Sequence, residues 1–174
     1  MSTCSSCGNS RIHLLTILRS RPQAAAHIAG SESYPDISGK VRFYQTSAGV
    51  IVWAEVNGLP CSEGPCHGQI FGFHIHEGSA CDGSMDDPFA NAMAHYDPSG
   101  CEHPRHAGDL PPLFGNHGCA LSLFLTNRFS VNEVMGRTIL IHSRPDDFTT
   151  QPSGSSGIKI ACGVIRRAAG SCMR

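Results

Sequence analysis

Apolar and polar residues alternate over short stretches of this chain with a period close to two. Val41 and Phe43, then Val50, Val52, Ala54 and Val56, are each separated by one residue. That spacing puts their side chains on one face of an extended strand. Strand-like runs recur at residues 24–29, 39–45, 50–56, 70–76, 119–126, 138–142 and 158–165. Val50-Ile51-Val52-Trp53 is apolar throughout, so pattern alone assigns it no inward face. Tyr34-Pro35-Asp36, Asn57-Gly58-Leu59-Pro60 and Ser153-Gly154-Ser155-Ser156-Gly157 are turn signals between runs. No helix-period segment of convincing length and no internal repeat appears. Regularly spaced strands without helices predict an all-β sandwich or barrel. Two long loops, residues 77–117 and 143–157, break the regularity, and loops of that length in a compact domain are usually functional or disordered.

The 174 residues suit one domain. Residues 1–20 read as a flexible N-terminal tail, 21–170 as the domain and 171–174 as a C-terminal tail. A formal net charge of −1 leaves no footprint for nucleic acid, and no apolar run is long enough to span a membrane. The run from Ile12 to Leu18 contains His13 and is shorter than an export signal, which favours the cytoplasm. Nine cysteines is an odd number, so at least one does not pair within the chain. Cys4-Ser5-Ser6-Cys7 reads as a thiol-bearing terminus, since a zinc site needs two further ligands.

Histidine changes the picture. Seven of the ten histidines fall between His67 and His117. In Gly72-Phe73-His74-Ile75-His76-Glu77, strand geometry sends Phe73 and Ile75 to the core and projects His74 and His76 together from one face. Paired imidazoles suit a metal that takes nitrogen ligands, such as copper or zinc. Cupins and metal hydrolases use the same pair, so the following loop has to decide. It supplies His95, His103, His106 and Asp109, three imidazoles and a carboxylate, a full tetrahedral set for zinc. That loop is rich in proline and glycine and has no ladder to fix it; a metal would organise it.

These blocks resemble the copper/zinc superoxide dismutases, closest to a bacterial branch. The resemblance rests on the 72–77 block, His95-Tyr96-Asp97-Pro98, His106-Ala107-Gly108-Asp109-Leu110-Pro111, Gly136-Arg137-Thr138-Ile139-Leu140-Ile141-His142 and Ala161-Cys162-Gly163-Val164-Ile165, in the family's order across residues 23–167. It implies a Greek-key β-barrel, or flattened sandwich, of about eight antiparallel strands. It implies copper on His74, His76, His95 and His142, and zinc on His95, His103, His106 and Asp109, with His95 bridging. Asp146 would link a copper histidine to a zinc histidine, and Cys81 would pair with Cys162. The implied reaction turns superoxide into dioxygen and hydrogen peroxide by copper redox cycling, in a chain compatible with a homodimer.

Three positions depart from the family. Only two residues separate His103 from His106, Ala94 replaces the glycine before the bridging histidine, and Lys159 replaces the active-site arginine. Lysine keeps the positive charge as a mobile point charge on a flexible stem, without the planar fork. His67, His117 and Cys101 fit no ligand slot, and Cys61 and Cys66 either pair locally or stay reduced. A non-catalytic copper/zinc-binding or copper-delivery domain on the same fold is the alternative. A cupin-like enzyme would not call for Asp109 or the Cys81–Cys162 pair.

Overall fold

The inside–outside alternation of residues 41–56 becomes the wall of a curled antiparallel sheet. A computed structural model describes residues 14–62, 64 and 69–168. Its strands are β1 (Ala24–Gly30), β2 (Ser38–Thr46), β3 (Gly49–Asn57), β4 (Ile70–Phe71), β5 (Phe73–His76), β6 (Leu113–Phe114), β7 (Ala120–Thr126), β8 (Thr138–His142), β9 (Lys159–Val164) and β10 (Arg166–Arg167). The hydrogen-bonded order is β5-β8-β9-β1-β2-β3-β7, with β10 beside β1 and β4 paired to β6. Every pairing is antiparallel. β4 and β5 are one run interrupted at Gly72, so the β4–β6 pair curls the sheet back toward β7 and makes a barrel. Taking β4 with β5, and β9 with β10, gives the eight expected strands. The neighbours β5–β8 and β3–β7 are far apart in sequence, as a Greek key requires.

Val41, Phe43, Val50, Val52, Ala54 and Val56 all lie in the core, on the face that the alternation picks out. Val50, Ile51 and Val52 are all buried. Ile51 therefore lies on the opposite face, where it pairs across strands with Tyr44, also buried. This explains why the run could not be read as one-sided.

The structure corrects the strand and loop bounds in three places. Loop 77–117 contains β6 and a single 3₁₀ turn, Ala90–Ala92. β6 is two residues long and follows Pro111-Pro112, so it carries no alternation to read. The run 70–76 breaks at Gly72, where a Cβ would lie 2.8 Å from Ser156 Cβ. Two short helices also occur. α1 (Leu14–Arg19) lies in the expected tail. α2 (Val131–Val134) is a single turn fixed by a capping box between Ser130 and Glu133. Loop 143–157 contains no helix or strand.

Cys81 and Cys162 form a disulfide. It packs with Phe89, Ala92 and Leu140 and pins the long loop to β9. A bridge across 81 residues stabilises by about 4 kcal/mol in the chain-entropy account. Cys61, Cys101 and Cys119 are exposed free cysteines. Cys4, Cys7, Cys66, Cys172 and His67 lie outside the described residues.

Candidate metal centre

Strands β5 and β8 run side by side, and their pairing sets the first cluster. His74 and His76 lie on one face of β5, and His142 ends β8. Phe73 and Ile75 turn the other way into the core. All four are buried, because the long loops cover the histidine face as well. His95 arrives from the loop through a bridge with His76, and Asp109 through a bridge with His74. His103 and His106 complete the loop's contribution. None of these residues, nor Asp146, is more than 8% exposed.

The hydrogen bonds fix which ring nitrogens are left over. Asp146 is a carboxylate and can only accept. It accepts from His74 Nε2 at 2.8 Å through Oδ2 and from His103 Nε2 at 2.8 Å through Oδ1. His76 Nδ1 donates to the Met93 carbonyl at 2.8 Å. The Nδ1 atoms of His74, His103 and His106 and the Nε2 of His95 are buried with no hydrogen-bond partner. His76 Nε2 and His142 Nε2 face each other at 3.2 Å. Where the opposite nitrogen of the ring donates, as in His74, His76 and His103, the remaining nitrogen carries a lone pair directed into the site. Buried orphan acceptors are costly unless something fills the space between them.

Ligand-capable atoms fall into two sets whose members all lie within 4.8 Å of one another: His74, His76, His95 and His142, and His95, His103, His106 and Asp109. In the second set Asp109 stands 2.8 Å from His95 Nδ1, 3.1 Å from His103 Nδ1 and 3.3 Å from His106 Nδ1. His95 belongs to both sets; its Nδ1 faces Asp109 Oδ1 at 2.8 Å and its Nε2 has no hydrogen-bond partner. Four nitrogens suit copper, and three nitrogens with a carboxylate suit zinc.

Residues that sequence reasoning missed hold this arrangement. Arg128 Nη1 donates to the carbonyls of Pro104, His106 and Asp109 at 3.1, 3.2 and 3.1 Å. Gln151 grips His103 twice: its Oε1 accepts from the backbone N–H at 3.0 Å and its Nε2 donates to the carbonyl at 2.7 Å. Both act on backbone groups brought near by the fold, so no local motif signals them. Lys159 starts β9 opposite His142. Its ammonium is paired: Nζ donates to Asp87 Oδ2 at 2.7 Å and to the Phe89 carbonyl at 3.0 Å. His117 lies in the turn between β6 and β7, outside both sets, and Cys101 is exposed and outside both. Arg105 faces Glu102 at the surface.

Burial, with the neighbouring imidazoles His142 and His95, drives the His76 pKa well below its usual 6.5. Burial likewise takes His142 to about 3 and lowers His74 despite the Asp146 hydrogen bond. For Asp146 burial opposes the charge, yet hydrogen bonds from His74, Phe148 N–H and His103 lower it to about 2. Asp109 is lowered in the same way, by His95, His103 and His106 against its own burial.

Unfolded imidazoles take up protons near pH 6.5, while the folded ones stay neutral to much lower pH. The metal-free protein therefore loses stability as pH falls from about 6.5, by on the order of 1 kcal/mol per pH unit for each such histidine. Below about pH 4 the carboxylates Asp109 and Asp146 add to the loss. Urea midpoints of chelator-treated protein between pH 8 and 4 measure this, and a flat profile would contradict it.

The family model for "Copper/zinc superoxide dismutase (SODC)" matches residues 37–165. The chain belongs to the copper/zinc superoxide dismutase family. It is 31% identical over 159 residues to "Superoxide dismutase [Cu-Zn] 2" of Aquifex aeolicus, covering 83% of this chain and 86% of that one. It is 35% identical over 148 residues to "Superoxide dismutase [Cu-Zn]" of Deinococcus radiodurans, covering 75% and 78%. The solved Cu/Zn superoxide dismutase from Brucella abortus superposes with a TM-score of 0.68 at 25% identity, covering 81% of this chain and 98% of that one. As a copper/zinc superoxide dismutase, the chain takes copper and zinc as cofactors and converts superoxide to dioxygen and hydrogen peroxide. Among the described residues no helix is long and apolar enough to cross a membrane.

Proposed function

We propose that His74, His76, His95 and His142 hold copper, that His95, His103, His106 and Asp109 hold zinc, and that His95 serves both. The observation that carries this assignment is the split of His95. Its Nε2 is orphaned and its Nδ1 faces Asp109. Copper supplies the electron exchange, and zinc, which has no redox chemistry, supplies fixed charge and geometry.

The chain's own residues do the rest. Asp146 joins His74 to His103 and so fixes ring orientation in both halves at once. The Met93 carbonyl holds the His76 tautomer, leaving Nε2 as the ligand atom. His95 Nε2, with no protein partner, is the atom free to hold a proton between the half-reactions. One superoxide leaves as dioxygen after giving up an electron. A second takes that electron and two protons and leaves as hydrogen peroxide. Lys159 opens onto the same cavity as His76, His95 and His142, and its ammonium offers the entering anion a positive charge.

Nothing observed favours a non-catalytic metal-binding domain, because all four copper-side histidines converge. The test is metal content and dismutation on one sample. One copper and one zinc per chain with activity is expected; full copper loading without dismutation would refute the reading. Lys159→Arg should match or exceed the parent, Lys159→Ala should be slower and Lys159→Glu slower still. Equal rates in all four would remove Lys159 from the scheme.

A further inference from the structure

Lys159 is the only lysine or arginine among the described residues lining a cavity of about 1480 Å³ that reaches His76, His95 and His142. The same wall carries six carboxylates: Glu32, Glu77, Asp82, Asp86, Asp87 and Asp97. That is an unfavourable mouth for an anionic substrate, and the one cation in it is already paired. Asp87 Oδ2 lies 2.7 Å from Lys159 Nζ. The lysine side chain is 16% exposed and the aspartate 43%, so the negative partner is the more open to solvent. The Cys81–Cys162 disulfide ties the loop carrying Asp87 to the strand carrying Lys159.

A charge pair at this separation acts at a distance as a dipole. Its field falls faster than that of a free charge, and an approaching anion meets little net attraction until it is close. We propose that Asp87 sets how strongly this enzyme attracts superoxide, by cancelling the charge of Lys159 at long range. The proposal rests on the reading of Lys159 as the anion guide. Asp87 needs no contact with substrate for this. It lowers the rate of encounter and leaves the metal ligands untouched.

The test is kcat/KM of the fully metal-loaded enzyme from about 0.01 M to about 1 M ionic strength, over which the Debye length shrinks from about 30 Å to about 3 Å. Asp87→Asn keeps an oxygen acceptor for the ammonium and removes the charge. It should raise kcat/KM about two- to threefold at the lowest ionic strength. Its rate should fall more steeply with salt than the parent's, and the two should converge at the highest. Asp87→Glu should restore the parent profile. Metal content and melting temperature must match the parent, so that changes of fold are not read as charge effects. An Asp87→Asn enzyme with the parent's rate and salt slope overturns the proposal. So does a slower one, which would make Asp87 a tether that keeps the cation in place. Lys159→Met separates the two claims. If it equals the parent, the reading of Lys159 fails; if it is slow while Asp87→Asn is unchanged, only the proposal about Asp87 fails.

Discussion

An enzyme with alanine at His142 is expected to lose dismutation and copper while keeping one zinc per chain. His142 Nε2 and His76 Nε2 face each other across 3.2 Å in the set proposed for copper. Without His142 the set falls to three nitrogens and one face is open to water. The set proposed for zinc should be untouched, because its donors come from the loop and share only His95 with the set that holds His142. Asp109→Ala should do the converse. Asp109 lies against three histidines and also accepts from the His106 backbone N–H at 3.0 Å. Its loss should remove zinc and loosen the loop, while His74, His76 and His142 stay braced on β5 and β8. Metal per chain by mass spectrometry, read beside activity, separates the two. A His142→Ala protein that dismutates, or that loses both metals together, would refute the assignment.

Alanine at Gly154 should cripple both halves from a position that ligates nothing. A Cβ there would lie 2.0 Å from Asp146 Oδ1 and 2.7 Å from His103 Nε2. The carboxylate that orients both His74 and His103 would have to leave. Loss of such a partner typically costs 10–100-fold in metal affinity, and here copper and zinc should weaken together. Gly154 also has φ of +66°, which alanine adopts at a cost of its own. Gly100→Ala isolates that cost: its φ is +64° and nothing lies within 4 Å of the added Cβ. Metal affinities near the parent in Gly100→Ala and lowered in Gly154→Ala are expected. Equal effects would mean that backbone strain, and not the displaced carboxylate, is responsible.

The barrel was legible where one face of a strand is dry and the other wet. Val41, Phe43 and the alternate residues from Val50 to Val56 announce their side, and the register follows. β6 was not legible, because two residues cannot show a period and two prolines precede them. The candidate ligand set was legible because a metal demands particular side chains, and the fold brings the named residues together in two groups. The supports were not. Arg128 acts through three carbonyls, Gln151 through one residue's backbone and Asp87 through a lysine 72 positions away. Each depends on chain reversals that no local spacing encodes. Lys159 shows the same limit: its identity suggested a mobile charge, and only the fold reveals its partner.

The wall of this barrel is uneven. β2 and β3 share nine paired positions and β3 and β7 share seven, whereas β4 and β6 share two. Among the described residues no ladder joins β6 to β7. Such a seam is where local opening requires least free energy. The loop bearing His95, His103, His106 and Asp109 leads into β6, on the seam. β5 is the end strand of the long ladder and continues β4 into the seam, whereas β8 is paired on both sides, by β5 and β9. Amide exchange should thus be fastest at β4 and β6 along the seam and slower in β8, which carries His142 and is paired on both sides.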